Sequence, residues 1–393
     1  MTTQHVLIAG GGPVGFLTAL GLARHGLKVT LVEATPDIVD SPRAMVYHWS
    51  VLAGLERLGV LEDAMRIGFT KQDYANIFHR TGERIEWSVD LVADVMEGHP
   101  YNLHIGQNDI AAIARDHLKR HPTAEVRFAT RLTGMVQDSH GVTATLEGPD
   151  GVTEERFDWL IGADGAASQV REKFLGLNFF GITWPERFVA TNLCHDLVQH
   201  GFARANFVVD DVYGAVVARI DNNDLWRITF MEDAGLPLEG IADRIQAFYK
   251  VYFPEMEGHE LVQHSPYRMH QRCADTMRVG RVILAGDAAH ITNPTGGLGL
   301  TSGLFDSYFL VEIMSAIANE GASHDLLDRY SNERRRAFLE IASPQAVANK
   351  LRVYHSAPGE ALDRDIAFTR TLPGNRDALA RMMLFTRQLE SRL

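Results

Sequence analysis

The chain opens on a pattern that leaves few choices of architecture: an apolar run, spaced glycines, a helix-forming stretch and a second apolar run. Val6-Leu7-Ile8-Ala9 is short, continuously apolar and ends in glycine, as a strand buried in a parallel sheet does. Gly10-x-Gly12-x-x-Gly15 follows. Val14, Leu17, Ala19, Leu20, Leu22 and Ala23 then supply a largely buried helix, which Gly26 closes as its C-terminal cap. Val29 to Glu33 is the second strand. Two such strands and a helix within about 30 residues form a β-α-β unit.

The glycine spacing says what this unit can hold. Gly10, Gly12 and Gly15 permit a tight turn, close approach of backbone to a pyrophosphate, and close packing of strand on helix. The amides at the helix start, around Val14, face the phosphates, and the helix dipole favours negative charge there. Pro13 sits near the first helical position, where its missing N–H is harmless. Glu33, at the end of the second strand, can accept hydrogen bonds from both hydroxyls of an adenosine ribose. Strand, helix and acidic residue in register predict a bound dinucleotide.

At 393 residues the chain is too long for one simple core, so two packed domains are expected. A formal charge of -12 argues against a nucleic-acid or anionic-membrane surface, which needs a basic excess. Only Cys194 and Cys273 occur, so there is no disulfide framework, and a reducing cytoplasm fits. Val6 to Ala23 resembles a signal sequence in its apolar character. However, Met1 to His5 carries no Lys or Arg, and Gly10-Gly11-Gly12-Pro13 interrupts the run. No other stretch of about 18 uninterrupted apolar residues appears.

Farther along, helices are expected near Ser50 to Leu58 and Gln107 to Arg120. Strands are expected at Val126 to Ala129, Leu132 to Gln137, Val142 to Leu146 and Phe157 to Gly162. From about Phe180 to Arg278 the texture turns β-rich, with strands at Phe207 to Val209, Tyr213 to Ile220 and Leu225 to Phe230. Asp221-Asn222-Asn223-Asp224 supplies turn chemistry between the last two. Val282 to Ala285 restores the buried-strand pattern, and helices follow at Thr301 to Asn319 and Ser323 to Ile341. The fold class is therefore α/β. Residues 1–175 and 279–320 form a discontinuous Rossmann-like nucleotide domain, 176–278 an inserted antiparallel substrate sheet, and 321–393 a C-terminal helical region.

A second glycine-rich loop tells which dinucleotide is held. Gly286-Asp287-Ala288-Ala289-His290 follows a buried strand, and Pro294-Thr295-Gly296-Gly297-Leu298-Gly299 precedes a helix. Asp287 can hold a ribityl hydroxyl, although alone it would read as a helix N-cap. Gly297, Leu298, Gly299 and the helix start present amides to an electron-rich ring edge and stabilise an anionic reduced flavin.

With these motifs in order, the chain resembles the class A flavoprotein monooxygenases, the para-hydroxybenzoate hydroxylase-like aromatic hydroxylases. The resemblance rests on Gly10-x-Gly12-x-x-Gly15, Asp164-Gly165-x-x-Ser168-x-x-Arg171 and Gly286-Asp287-Ala288-Ala289-His290 with Pro294. Pro42-Arg43-Ala44 matches the family's arginine loop near the flavin, and Gln107 its FAD-binding glutamine. Residues 5 to about 310 carry the framework. Leu298 and Thr301 depart from the commonest loop, Gly-Gln-Gly-x-Asn, which puts the asparagine's side-chain contact in doubt.

The resemblance implies noncovalent FAD reduced by NADH or NADPH. It also implies O2 activation as a flavin C4a-hydroperoxide that hydroxylates a small phenolic or N-heteroaromatic ring. Arg43, His48 and Pro294 become candidates for the reacting side of the flavin, and Asp164 for a FAD contact. The inserted strands offer Tyr213, Arg219 and Arg227 as pocket residues, an arginine suiting a carboxylate or phenolate. Plainer readings stand beside these: Asp164 and Arg171 as a turn-closing pair, and His48 or His290 as structural histidines. Cys194-His195 points to opposite faces of a strand. His117 and His121 lack any accompanying metal motif, so no metal is expected. A different flavin oxidoreductase and a flavin-binding sensor remain alternatives, and oligomerisation is open.

Overall fold

A computed structural model describes residues 4–39, 45–221, 224–252 and 260–393. The Pro42-Arg43-Ala44 motif, and with it Arg43, lies outside the described residues, as do Asn222 and Asn223.

A six-stranded sheet runs in the order Arg278–Val279, Val282–Leu284, Trp159–Gly162, His5–Ala9, Lys28–Val32, Ala124–Arg127. All neighbours are parallel except the short first pair. Val6, Leu7, Ile8, Val29, Leu31, Leu160 and Ile161 are fully buried, as expected for strands covered on both faces. Helix Pro13–Arg24 packs against Gln107–Leu118 and Leu298–Ser315 so closely that a Cβ at Gly21 would strike Val311. A three-stranded antiparallel sheet, Arg131–Gln137, Val142–Gly148 and Gly151–Phe157, intervenes before Trp159–Gly162. The helix Leu298–Ser315 starts three residues before the expected Thr301 and widens into a π turn, Ala316–Glu320. It is long and apolar enough to cross a membrane, but 89% of its most apolar window is buried in the protein, as befits a core helix.

The second large sheet has eight strands, in the order His290–Ile291, Glu260–Ala274, Phe179–Cys194, Leu225–Asp233, Ala215–Arg219, Ala205–Val209, Asp73–Phe78, Glu83–Ser88. It therefore draws two strands from well before residue 176. Its two faces are covered differently, and strand alternation assigns each residue to one of them. Val189, Leu193, Val217, Trp226, Ile228 and Phe230 pack under helix Ile241–Tyr252 through Ile245, Phe248 and Tyr249. Phe188, Val216, Met231, Tyr267 and Met269 face the other way and meet Val353 and Tyr354 of helix Ser343–Tyr354. The helix expected over Ser323 to Ile341 is Asp325–Ala337, extended by a π turn, Phe338–Ala342, into Ser343–Tyr354.

Candidate active site

The three sequence motifs meet because their strands are neighbours. Gly10, Asp164 and Gly286 follow the C-terminal ends of His5–Ala9, Trp159–Gly162 and Val282–Leu284, which lie side by side. Backbone bonds stitch the exits together: Ala163 N donates to Ala9 O at 2.8 Å and Ala285 N to Gly162 O at 3.0 Å. In an open α/β sheet this edge is where ligands bind.

At the first loop Gly10 has φ +113°, and a Cβ there or on Gly15 would run into backbone carbonyls. Gly12, by contrast, has open space where a Cβ would point. It caps the helix without a side-chain hydrogen bond, and Pro13 takes the first helical position. The first backbone bond of the helix is Phe16 N to Gly12 O, so the amides of Val14 and Gly15 remain for a phosphate. Gln107 and Asn108, at the start of their helix, share a cleft with Gly11, Gly12, Pro13 and Glu33. Glu33 is more committed than its sequence position suggests. Oε2 accepts from Gly11 N at 2.6 Å, and Oε1 accepts from Thr35 N and Oγ1 at 2.8 Å each. A carboxylate has about four acceptor sites, so room remains for about one ribose hydroxyl rather than two.

Asp287 is exposed on the short turn Gly286–Ala288, and Val14 packs against Gly286 and Gly303 to join both loops. A buried ionic cluster holds this turn from below. Asp306 Oδ2 accepts from Gly286 N at 2.9 Å and His290 Nε2 at 2.7 Å, while Oδ1 accepts from Arg334 Nε at 2.8 Å. Burial opposes ionisation of Asp306, but His290 and Arg334 outweigh it and hold the carboxyl below its ordinary value. His290 is thus a support for the loop. Arg171 Nη1 donates to Ala288 O and Nη2 to Ala166 O, both at 3.0 Å, tying the Asp164-Gly165 segment to the same turn. Asp164 accepts from Ser168 Oγ at 2.5 Å and from Gln169 N and Val170 N at 2.8 and 3.1 Å. It caps a turn, and Arg171 goes to carbonyls rather than to Asp164. Burial raises the Asp164 carboxyl above its ordinary value against the pull of these donors.

The loop before helix Leu298–Ser315 turns at Gly296 and Gly297, with φ +94° and +69°, backbone that favours glycine. His48 Nε2 donates to Gly296 O at 2.7 Å; a carbonyl only accepts, so the proton sits on Nε2. Burial lowers the His48 pKa, Gly296 opposing, so the ring is neutral near pH 7. Gly297 caps the helix, leaving amides of Leu298 and Gly299 at the helix start. Thr301 turns its hydroxyl back to Gly297 O at 2.9 Å, so the departure from asparagine replaces an outward contact with a local one. Leu298 is buried and Pro294 exposed. Gln271, unsuspected from sequence, holds the loop's base, accepting from Thr292 Oγ1 at 2.9 Å and Asn293 N at 3.2 Å.

The three expected pocket residues part company. Arg227 faces the flavin loop's side of the large sheet, is 8% exposed, and its Nε donates to Asn192 Oδ1 at 3.0 Å. Burial pushes its guanidinium down to about 10, Tyr267 opposing, so it remains a cation at neutral pH. Its ladder partner Ala218 packs with Phe207, Met45, Val46 and Trp49. The Val46 carbonyl in turn lies 3.7 Å from where a Cβ on Gly297 would stand. Ala218 and the flavin loop thus both neighbour the Met45–Trp49 segment, on the sheet face that carries Arg227. Arg219 is one residue out of phase with Ala218, points to the opposite face and pairs with Asp224 at 2.8 Å. Tyr213 lies on a turn before the strand, against His79, Phe248 and Tyr252 beside the other covering helix. Asn192 and Tyr267 carried no sequence signal, since their roles depend on a partner strand.

The open space at Gly12, the free helix-start amides and Asp287 at the neighbouring turn fit FAD. Residues 3–343 match the family described as the FAD binding domain. Over 388 residues the chain is 46% identical to the 6-hydroxy-3-succinoylpyridine 3-monooxygenase HspB of Pseudomonas putida (strain DSM 28022 / S16), covering 99% of this chain and 98% of that protein. It is 41% identical to the para-nitrophenol 4-monooxygenase of Pseudomonas sp. (strain WBC-3), covering 100% and 97%. The crystal structure of p-nitrophenol 4-monooxygenase PnpA from Pseudomonas putida DLL-E4 superposes with a TM-score of 0.94 at 38% identity, covering 100% and 99%. With its motif loops gathered at one sheet edge and full-length relatives of this kind, the chain belongs to the FAD-dependent aromatic monooxygenases.

Proposed function

We propose that this enzyme uses NADH or NADPH to hydroxylate a small aromatic ring bearing a hydroxyl para to an electron-withdrawing substituent. The names of its two relatives motivate the pattern. In 6-hydroxy-3-succinoylpyridine and in para-nitrophenol the hydroxyl lies para to an acyl or nitro group, and the numbered position of oxygenation is the carbon carrying it. A ring hydroxyl, once deprotonated, sends electron density to that para carbon, where the new C–O bond forms as the bond to the substituent breaks; a nitro group leaves as nitrite and the ring as a quinone.

FAD, when bound, supplies the redox chemistry, taking hydride from the nicotinamide and activating O2 for transfer to the ring. The protein's own residues hold and enclose. Amides at Val14 and Gly15 bind the pyrophosphate, Glu33 and Gln107 the adenosine half, Asp287 the ribityl chain, and the amides of Leu298 and Gly299 the ring edge. His48 fixes the Gly296 carbonyl and so the loop. Arg227 takes the oxygen-bearing substituent, and helix Ser343–Tyr354 shuts water from that side, as reactive oxygen intermediates require. We take the eight-stranded sheet as the substrate-binding unit, and the free Cys194 and Cys273 as suited to a cytoplasmic enzyme.

The observation that carries this reading is the buried, cationic Arg227 on the sheet face whose Met45–Trp49 neighbours also adjoin the flavin loop. The test is a panel of 4-substituted phenols and hydroxypyridines, scored by stimulated NAD(P)H oxidation and by incorporation of oxygen from labelled O2. Stimulation with incorporation into rings of the para pattern is expected; stimulation by none of them rejects the reading.

Two further results are expected. The purified protein should be yellow and release one equivalent of intact FAD on heating, and chromatography showing FMN, covalent flavin or none would overturn the assignment. Asp287→Ala should weaken FAD binding by about 1.5 kcal/mol, the lower end for a charged hydrogen bond, because the turn is open to water. Fluorescence titration should therefore read roughly a tenfold loss.

A further inference from the structure

Toward its end, strand Glu260–Ala274 carries a basic residue at every second position. Arg268, His270 and Arg272 alternate with Tyr267, Met269 and Gln271, so they share the sheet face opposite to that of Arg227. Arg272 Nη2 donates to Thr183 Oγ1 at 2.8 Å, and the same hydroxyl bonds His270 Nδ1 at 2.8 Å. Burial lowers the His270 pKa and the charges of Arg272 and Arg268 lower it further, so a neutral ring stands between two guanidiniums. Opposite Arg272 in the ladder is Gly181, so no side chain from that strand covers the guanidinium, and Arg268 is exposed.

This strip runs into the flavin site. Arg272 pairs in the ladder with Ile291, just before Pro294 of the flavin loop. Arg171, within electrostatic reach of Arg272, continues the row: its guanidinium lies 3.7 Å over the Phe179 ring and holds the Ala288 carbonyl of the flavin turn. Among the described residues, no carboxylate forms an ion pair with Arg171, Arg268 or Arg272. The chain has 50 acidic and 38 basic residues, so the absence of partners is selective. Arg187, the ladder neighbour of Arg268, is held by Glu232 at 2.8 Å. Cations kept apart from carboxylates make a strip of positive potential, and the guanidinium fork matches phosphate oxygens.

We propose that Arg268 and Arg272, with Arg171 at the inner end, receive the diphosphate of NADH or NADPH and direct its nicotinamide end toward the flavin turn. The proposal rests on the reading above, which requires a nicotinamide dinucleotide but gives it no site. Two features select the dinucleotide over the aromatic substrate. The aromatic is assigned to the Arg227 face, and the strip lies on the other. Arg268 and Arg272 are also separated by about 13 Å of strand at the usual rise per residue, a span suited to an extended dinucleotide rather than to one small ring. A phenolate or carboxylate needs one cation, whereas a diphosphate, with or without a further phosphate on the ribose, uses several.

The experiment is stopped-flow reduction of the holoenzyme, with 4-nitrophenol bound, over a range of NADH and of NADPH concentrations. Calorimetric titration of the oxidised holoenzyme with ADP-ribose, which carries the diphosphate without the nicotinamide, accompanies it. Arg268→Met and Arg272→Met should each raise the dissociation constants of the reducing nucleotide and of ADP-ribose roughly tenfold, as loss of one charge-assisted phosphate contact does. The limiting reduction rate, FAD content and 4-nitrophenol affinity should stay within about twofold. Arg84→Met, which removes a charge from the edge strand Glu83–Ser88, should leave all of these unchanged. Arg268 is exposed, so its variant decides the matter even where Arg272→Met loses flavin. Nucleotide and ADP-ribose constants unchanged in Arg268→Met overturn the proposal. So does a rise in the 4-nitrophenol constant in their place, which would make the strip a path for the aromatic anion. A wild-type enzyme that neither nucleotide reduces would instead strike the functional reading, and the ADP-ribose titration would still decide the strip.

Discussion

Arg334→Met should lower the stability of the protein by about 3–5 kcal/mol, the usual cost of removing one partner from a buried ion pair. Arg334, Asp306 and His290 are all fully buried, and Asp306 is the hub. Arg334 also donates to Ser302 O at 3.3 Å and to Leu389 O, so its loss frees a carboxylate and two carbonyls together. Methionine fills much of the volume but neutralises nothing. Because Asp306 also holds Gly286 N, the flavin turn should loosen, and FAD affinity should fall with the melting temperature.

The sign of the pH dependence follows from Asp306. Its folded pKa lies below the ordinary aspartate value of about 3.9, so its stabilisation is present above that value and is lost as pH falls through the folded pKa. The Arg334→Met penalty should therefore shrink below about pH 4, where a protonated carboxyl no longer needs the guanidinium. Denaturant titration of both proteins from about pH 2 to 8 checks this. A loss under about 1 kcal/mol, or one that does not diminish in acid, would mean the cluster is not an ion pair in effect. Asp306→Leu combined with Arg334→Met should recover part of the loss, since removing both charges leaves neither stranded.

Much of this site was legible in the sequence because its functional groups are mostly backbone. Gly10, Gly12, Gly15, Gly286 and Gly297 are read from local spacing, and the strands that carry them are short apolar runs. The supports were not legible. Asp306, Arg334 and Gln271 act across 16 to 28 residues, or through an unrelated strand, and their polar side chains in apolar elements carry no periodic mark. Strands Asp73–Phe78 and Glu83–Ser88 went unassigned for a related reason. Asp73, Asn76, Glu83 and Glu86 dilute the apolar alternation, and the strands are held by pairing to Ala205–Val209, a partner beyond any local window. The arginines show the limit most clearly. Arg219 and Arg227 look alike in sequence, and only the register of their two strands, Arg219 opposite Trp226 and Ala218 opposite Arg227, sends them to different faces.

That register makes Arg227→Met the decisive variant for the substrate pocket. Arg227 is buried beside Asn192, on the face that borders the flavin loop, and remains charged at neutral pH although burial pulls it down to about 10. A nitro or carboxylate oxygen placed there would receive a charge-assisted hydrogen bond, of the kind whose loss costs about 1.5–3 kcal/mol, roughly ten- to a hundredfold in affinity. The aromatic dissociation constant should rise by that factor in Arg227→Met. FAD content should hold, because Arg227 lies on strand Leu225–Asp233 of the large sheet and not on the glycine loops proposed to hold the flavin. Reduced flavin that lacks a correctly placed ring should also release more hydrogen peroxide per NADH consumed. Arg219→Met is the matched control: it removes the same charge from the opposite face, where its partner is Asp224, and should leave aromatic affinity within about twofold. Equal effects from the two variants would show that net charge, not position, governs binding. A larger effect at Arg219 would place the pocket on the other face of the sheet.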